Sequence, residues 1–357
     1  MKGGKIVKKT VILVCILWIA TVVLPTVFLR DKTDGPVIET VLLDNTDVEG
    51  TDDNTLETME EVFQDAAVTV EVMENGEIIA LQLDEYLAGV LAAEMPASFP
   101  EEALKAQAVA ARSFILYRMT YPPADGVHDG VPLCTDPGHC KAYQDIAVPE
   151  TAAALFGTNS EIYLEKIRAA VHDTDGIVLT YQGEPAMAAF HAIAGGMTES
   201  AEDVWGQPVP YLVEVESPGE EDAVKFSETV KFDTDILRET LIAAYPDAAL
   251  GDDPAAWLTV LERSPAGMIR SASLGGITVS GMEIRMLLGL NSADFTWEST
   301  DGVVRITTTG YGHGVGMSQY GARAMALDGS TYQEILLHYY PGCSVLTLED
   351  IPVLEKD

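Results

Sequence analysis

The sequence predicts an α+β fold, with mixed helices and antiparallel strands around a groove, preceded by one transmembrane helix. Three observations lead there. Val68, Val70 and Val72 alternate with polar residues up to Asn75-Gly76, and an apolar run from Ile78 to Leu83 follows, which is the pattern of a hairpin. Further along, strand and helix patterns succeed one another without strict alternation, which argues against a doubly wound α/β sheet. Residues 10–29 form a nearly unbroken apolar run, and about 20 such residues cross a bilayer core.

Lys2, Lys5, Lys8 and Lys9 precede that run, so the positive-inside rule makes residues 1–9 a cytoplasmic tail and sends everything after Arg30 outside. A cleaved signal peptide is the competing reading. The length of the apolar run, with no small-residue cleavage site close behind it, favours an uncleaved anchor. Residues 30–66 read as an acidic disordered linker: beyond Arg30, twelve acids from Asp31 to Asp65 are offset only by Lys32, and aromatic residues are almost absent. Residues 67–357 form the extracytoplasmic domain. The net charge is −35, and the first 30 residues contain no acid, so the outer surface repels nucleic acid and anionic polymers.

Within that domain the hairpin leads into two helices. The first carries apolar periodicity from Leu83 to Leu91 and must end at Met95, because Pro96 drives its predecessor out of the helical region. Glu94 therefore occupies the last turn, where the negative end of the helix dipole favours the acid form that a general acid needs. A solvent-facing Glu before a turn is the plain alternative. In the second helix Ala103, Ala106, Ala110 and Ser113 form a small-residue stripe that admits close helix neighbours. Lys105 and Arg112 share one face of it and are candidates for holding an anionic group. A loop from Tyr121 to about Pro149 follows. Helices are then expected over 161–171, 235–244, 254–261, 281–288, 318–327 and 332–339, and strands over 177–181, 186–191, 225–232, 269–279 and 303–309.

Two of the four cysteines lie in that loop, in the run His128-Asp129-Gly130-Val131-Pro132-Leu133-Cys134-Thr135-Asp136-Pro137-Gly138-His139-Cys140. His128, Cys134 and Cys140 can supply three ligands of a tetrahedral zinc, with water, His139 or another group as the fourth. In an exported domain a Cys134–Cys140 disulfide is the alternative. The motifs of a zinc deaminase and of a His-Glu-x-x-His protease are absent.

Near the C-terminus the chain reads Gly310-Tyr311-Gly312-His313-Gly314-Val315-Gly316-Met317-Ser318-Gln319-Tyr320-Gly321-Ala322. Its glycines either bring backbone close to a ligand, with His313 and Gln319 lining a cleft, or serve strand bulges and turns. A comparable run, Phe190-His191-Ala192-Ile193-Ala194-Gly195-Gly196, leads to Trp205-Gly206 and Tyr211-Leu212, whose aromatics suit a sugar platform or a core.

Together the segment from Leu83 to Pro96, the Ala103–Arg112 helix, Trp205-Gly206 to Tyr211-Leu212, and Gly312 to Ala322 resemble the stage II sporulation protein D family, from about residue 68 to the end. The resemblance implies a lytic transglycosylase of sporulation engulfment. Such an enzyme cuts peptidoglycan glycan strands between N-acetylmuramic acid and N-acetylglucosamine, preferring strands stripped of stem peptides. The implied partners are an amidase and a membrane scaffold protein of the engulfment complex, at the mother-cell membrane facing the forespore. The family's catalytic glutamate maps onto Glu94, and some members bind zinc through a His and two Cys that map onto His128, Cys134 and Cys140, the metal being structural or shaping the groove. Lys105, Arg112, Tyr211, His313, Ser318, Gln319 and Tyr320 are the substrate-binding candidates. One carboxylate is enough for such an enzyme, because the muramyl 6-hydroxyl attacks its own C1, whereas ordinary glycosidases need two. At 192–194 this chain lacks the hydroxyl residues common in the family, which leaves the role of His191 open. Relatives described as amidase enhancers share these motifs, so a non-catalytic wall-binding activator is the rival reading, and a sugar hydrolase is a third.

Overall fold

The computed structural model describes residues 65–123, 128, 130–136 and 138–351. The expected membrane span at 10–29 and nearly all of the acidic linker lie outside the described residues. No described helix is long and apolar enough to cross a membrane.

Strands β1 (Thr69–Glu74) and β2 (Glu77–Gln82) pair antiparallel from Thr69↔Gln82 to Glu74↔Glu77. Asn75 and Gly76 turn the chain with φ of 50° and 85°, the positive values that a two-residue hairpin turn requires. Helix α1 (Leu83–Glu94) follows without a gap, and Met95 ends it in an extended conformation before Pro96. Helix α2 (Glu101–Thr120) is the axis of the first lobe, with Ala103, Ala106 and Ala110 fully buried. The short β3 (Leu133–Cys134) joins β1 in parallel, Val72↔Leu133 and Met73↔Cys134, and so fixes the cysteine loop to the hairpin.

Helices α3 (Pro149–Phe156) and α4 (Ser160–His172) lead to β4 (Ile177–Tyr181), β5 (Glu184–Pro185), β6 (Phe190–His191) and the one-turn α5 (Ala201–Trp205). A second lobe then begins. It contains β7 (Ser227–Asp233), α6 (Thr234–Ala244), β8 (Leu258–Arg263), β9 (Ile269–Leu274), β10 (Ile277–Val279), α7 (Gly281–Leu288), β11 (Phe295–Thr300) and β12 (Val303–Thr309). In it β9 lies between β8 and β10, and β12 between β7 and β11, all antiparallel. The chain returns through β13 (Met317–Ser318), α8 (Gln319–Leu327), α9 (Tyr332–Tyr339) and β14 (Ser344–Thr347). There β13 pairs in parallel with β6, and β14 pairs antiparallel with β4. Helices α1, α4, α8 and α9 all lie against α2, which its alanines permit.

Each lobe has its own core. The first joins Leu83, Leu87, Leu104, Ile115, Phe190, Met317 and Tyr339, and the second Leu237, Leu241, Trp257, Ile269, Ile284, Phe295 and Ile306. Between them, the buried Glu199 carboxylate accepts from the Ser264 hydroxyl (2.7 Å) and the Met268 N–H (3.2 Å), and Asp203 pairs with Arg270.

The α+β class is the observed one. The helix expected over 254–261 is instead a 3₁₀ turn, Pro254–Ala256, followed by β8. An apolar run this short fits either element. Burying Trp257 in the second core, with its indole N–H donated to the Gly251 carbonyl at 2.8 Å, selects the strand. The expected strand over 269–279 is a hairpin bent at Gly275 and Gly276, and the one over 186–191 keeps only its last two residues. The helix α3 and the strands β11 and β14 have no counterpart in the sequence reading.

Candidate active site and metal cluster

Glu94 closes α1 and is half-buried, and its Oε1 accepts the backbone N–H of Ala142 at 2.9 Å. The 140–144 segment lies flat on α1 because Gly89 has no side chain: a Cβ there would meet the Tyr143 ring and come within 2.6 Å of the Gln144 carbonyl. Gln144 returns its N–H to the Gly89 carbonyl at 3.3 Å. Beneath it, Tyr86 is fully buried, with its ring centroid 5.3 Å from that of Tyr143.

Immediately before Ala142 comes a four-residue cluster. His128, Cys134, His139 and Cys140 each offer a ligand atom, all within 4.8 Å of one another. Cys134 and Cys140 are free thiols rather than a disulfide. The sulfur–nitrogen separations are 3.7 Å for Cys134–His139, 3.6 Å for Cys140–His128 and 3.6 Å for Cys140–His139. A tetrahedral zinc with Zn–N of 2.0–2.1 Å and Zn–S of 2.3 Å sets these edges at about 3.5 Å. The two imidazole nitrogens are closer, at 2.7 Å. The hydrogen bond from the Cys134 thiol pulls Cys140 down to about 7, and that same bond, together with burial, holds Cys134 up at about 12. One of the two sulfurs is thus readily a thiolate, the form that binds metal. The donor set fits zinc, and His139 completes it.

Between the cluster and Glu94 stands Lys141. Only 6% of it is exposed, and its ammonium sits over the Phe190 ring at 3.5 Å and the Phe114 ring at 4.3 Å. Burial lowers it to about 8, against the opposing pull of Glu94 and Cys140. Sequence reasoning missed this lysine, because both rings come from distant segments.

The glycine-rich loop forms the neighbouring wall. His313 faces Trp205 at 5.5 Å and His191 at 5.6 Å between ring centroids. Its Nδ1 accepts the Val315 N–H at 3.0 Å, which places the ring proton on Nε2, and burial, reinforced by the Lys141 charge, keeps the ring neutral. Gly312 has φ of 121°, and a Cβ on it would lie 2.8 Å from that of His191; Gly316 has φ of 75° and would drive a Cβ into the Ala189 carbonyl. Here the glycines serve close approach of the loop to residues 189–192. His191 is buried, lowered to about 4 by desolvation, with Nδ1 3.2 Å from the Val315 carbonyl oxygen. It holds the loop.

The other candidates separate clearly. Arg112 is fully buried: it pairs with Asp65 at 2.6 Å and donates to the carbonyls of Val171 and Ile177 at 3.3 and 3.0 Å. Each of these partners belongs to the fold, so the guanidinium expected to hold substrate is engaged within the first lobe. Lys105 pairs with Asp173 at 3.0 Å and Glu102 at 3.6 Å. Tyr211 is buried against Tyr181, its hydroxyl accepting the Met187 N–H at 2.7 Å. Ser318 is buried and caps α8, donating to Glu220 and the Ala192 carbonyl. Gln319 is buried, and Tyr320 packs edge-on against Phe99. For Lys105, Tyr211 and Ser318 the partners are likewise internal, whereas His313 lies within electrostatic reach of Lys141. Glu220, which carries no signal in the sequence, is a hub: it accepts from the N–H groups of Ala194, Gly195 and Gly196 at 3.0, 2.9 and 3.1 Å and from Ser217 and Ser318.

A half-buried carboxylate at a helix end, an adjacent Cys/His cluster and a glycine-rich histidine loop thus come together on an α+β fold, and the chain that carries them is similar to sporulation proteins. The family model described as stage II sporulation protein matches residues 73–181. Stage II sporulation protein D of Bacillus subtilis (strain 168) is 39% identical over 274 residues, 76% of each chain. That of Bacillus amyloliquefaciens is 36% identical over 288 residues, 80% of this chain and 81% of its own. An amidase enhancer of Bacillus subtilis (strain 168) is 28% identical across 72% of this chain and 40% of its own length. The chain belongs to the stage II sporulation protein D family.

Proposed function

We propose that the protein is a peptidoglycan lytic transglycosylase acting on denuded glycan strands during engulfment, with Glu94 as its single general acid and base. The observation that carries this reading is the fixed Glu94 carboxylate at the end of α1, held by the Ala142 N–H at 2.9 Å, two residues beyond Cys140 of the Cys/His cluster. Protonated Glu94 gives its proton to the glycosidic oxygen between N-acetylmuramic acid and N-acetylglucosamine. The C1–O bond breaks, the muramyl 6-hydroxyl oxygen bonds to C1, and Glu94 takes the hydroxyl proton. The products are a 1,6-anhydromuramyl end and a free 4-hydroxyl, and Glu94 is restored to its starting form. His128, Cys134, His139 and Cys140 would hold zinc with four protein donors, the donor count of a structural site, and the ion would stabilise the loop that presents Ala142. Residues 10–29 anchor the chain, with the N-terminus cytoplasmic and the folded lobes outside, where a sporulation amidase and a membrane scaffold protein of the engulfment complex are the partners.

The test is digestion of denuded strands followed by mass analysis. Wild type yields anhydro ends and Glu94→Gln loses at least 100-fold in rate; hydrated ends, or a Glu94→Gln rate equal to wild type, overturn the reading. The similarity to an amidase enhancer supports the rival activator role. That reading predicts faster amidase turnover with no glycan cleavage.

A further inference from the structure

Lys141 is a charge that the proposed proton transfers leave unused. Its aromatic box attracts a cation but accepts none of the three N–H donors of an ammonium. Among the described residues no hydrogen bond or ion pair reaches it, although it is only 6% exposed. Arg118 lies on the same Phe114 ring, 5.4 Å from its centroid, and its buried Nε also lacks an acceptor. Lys141 immediately precedes Ala142, whose N–H holds Glu94, and its ammonium lies on the Phe190 ring next to His191, which faces His313 at 5.6 Å, so its charge acts on both Glu94 and His313 without pairing with either. In a chain of net charge −35, Lys141 and Arg118 are two neighbouring cations whose nearby carboxylate, Glu94, pairs with neither among the described residues, which makes them an anion site.

We propose that Lys141, backed by Arg118, binds the free D-lactyl carboxylate of the muramic acid residue whose C1 is cleaved. This rests on the transglycosylase reading. The lactyl group hangs from C3 of the ring that carries the scissile C1, so a cation beside Glu94, but not paired with it, meets that group. When a stem peptide is attached the lactyl carbonyl is a neutral amide; hydrolysis of that amide leaves a carboxylate. Lys141 therefore reads whether the strand has been stripped, and the reaction that supplies this substrate is hydrolysis of the lactyl amide.

The test uses the full-length chain in detergent carrying Glu94→Gln, so that bound glycan stays intact. Affinity is measured for denuded strands and for the same strands with their lactyl carboxylates converted to methylamides. A charge-assisted contact predicts about tenfold or more tighter binding of the carboxylate form. Adding Lys141→Met abolishes the difference and Lys141→Arg keeps it. Equal affinity of the Lys141-containing chain for the two glycans overturns the proposal, and this comparison needs no variant at 141. A preference that survives Lys141→Met also overturns it. Equal cleavage of both glycans by wild type sinks the lysine and leaves the lyase. A carboxylate preference in binding, with no anhydro product from wild type, sinks the lyase and leaves the lysine as an anion site.

Discussion

The backbone N–H of Ala142 meets Oε1 of Glu94 at 2.9 Å, across 48 residues of chain. Cys140, two residues earlier, belongs to the cluster with His128, Cys134 and His139, and Lys141 between them is gripped by Phe114 and Phe190. The carboxylate is thus positioned from the Cys/His loop as well as from its own helix.

Ala142→Pro removes the donor that holds Glu94 while changing little side-chain volume. Turnover of denuded glycan is expected to fall 10–100-fold, about what one charged hydrogen bond is worth, with metal content and thermal midpoint near wild type. Unchanged turnover would show that Glu94 is fixed by α1 alone.

Removing the metal should release Ala142. A strong chelator is expected to extract about one equivalent of zinc, measured by elemental analysis, and to make Cys134 and Cys140 reactive towards a thiol reagent. Cys134→Ser should lower metal content and the thermal midpoint together. If neither moves, the cluster does not hold a metal.

Arg112→Met leaves the Asp65 carboxylate buried without its partner. Losing half of such a pair costs about 3–5 kcal/mol, to be read from denaturant midpoints, with no selective change in KM for glycan in the folded fraction. A normal midpoint with a raised KM would return Arg112 to the substrate groove.

Glu199 is raised above its ordinary value chiefly by burial, and its Oε2 has no partner. Its unfolded value is about 4.3, so below that pH the group is protonated in both states and costs nothing. As pH rises through the raised folded value, the native state must ionise a buried carboxyl, and stability falls. Glu199→Gln should therefore melt higher than wild type at pH 7–8, and the two should converge near pH 4. A constant difference across that range would rule out this ionisation as the cause.

Much of the fold is legible in local pattern. Asn75-Gly76 between alternating runs determines the hairpin, Met95-Pro96 determines where α1 stops, and the alanines of α2 announce a crowded helix. The elements that were missed or misread are short, such as β14 and the turn into β8. In these, burial against distant residues outweighs local preference.

Sequence alone determined which residues could do chemistry: Glu94 at a forced helix end, the cysteine–histidine loop, and the glycine–histidine run. Tertiary structure decided which of them meet. Arg112 and Lys105 share a helix face, yet that face turns to Asp65 and Asp173, whereas Lys141, an unremarked neighbour of Cys140, enters a box made by Phe114 and Phe190. The reason is physical: a side chain's charge, reach and residue type are local properties, but the desolvation and partners that give them a role come from segments tens to hundreds of residues away.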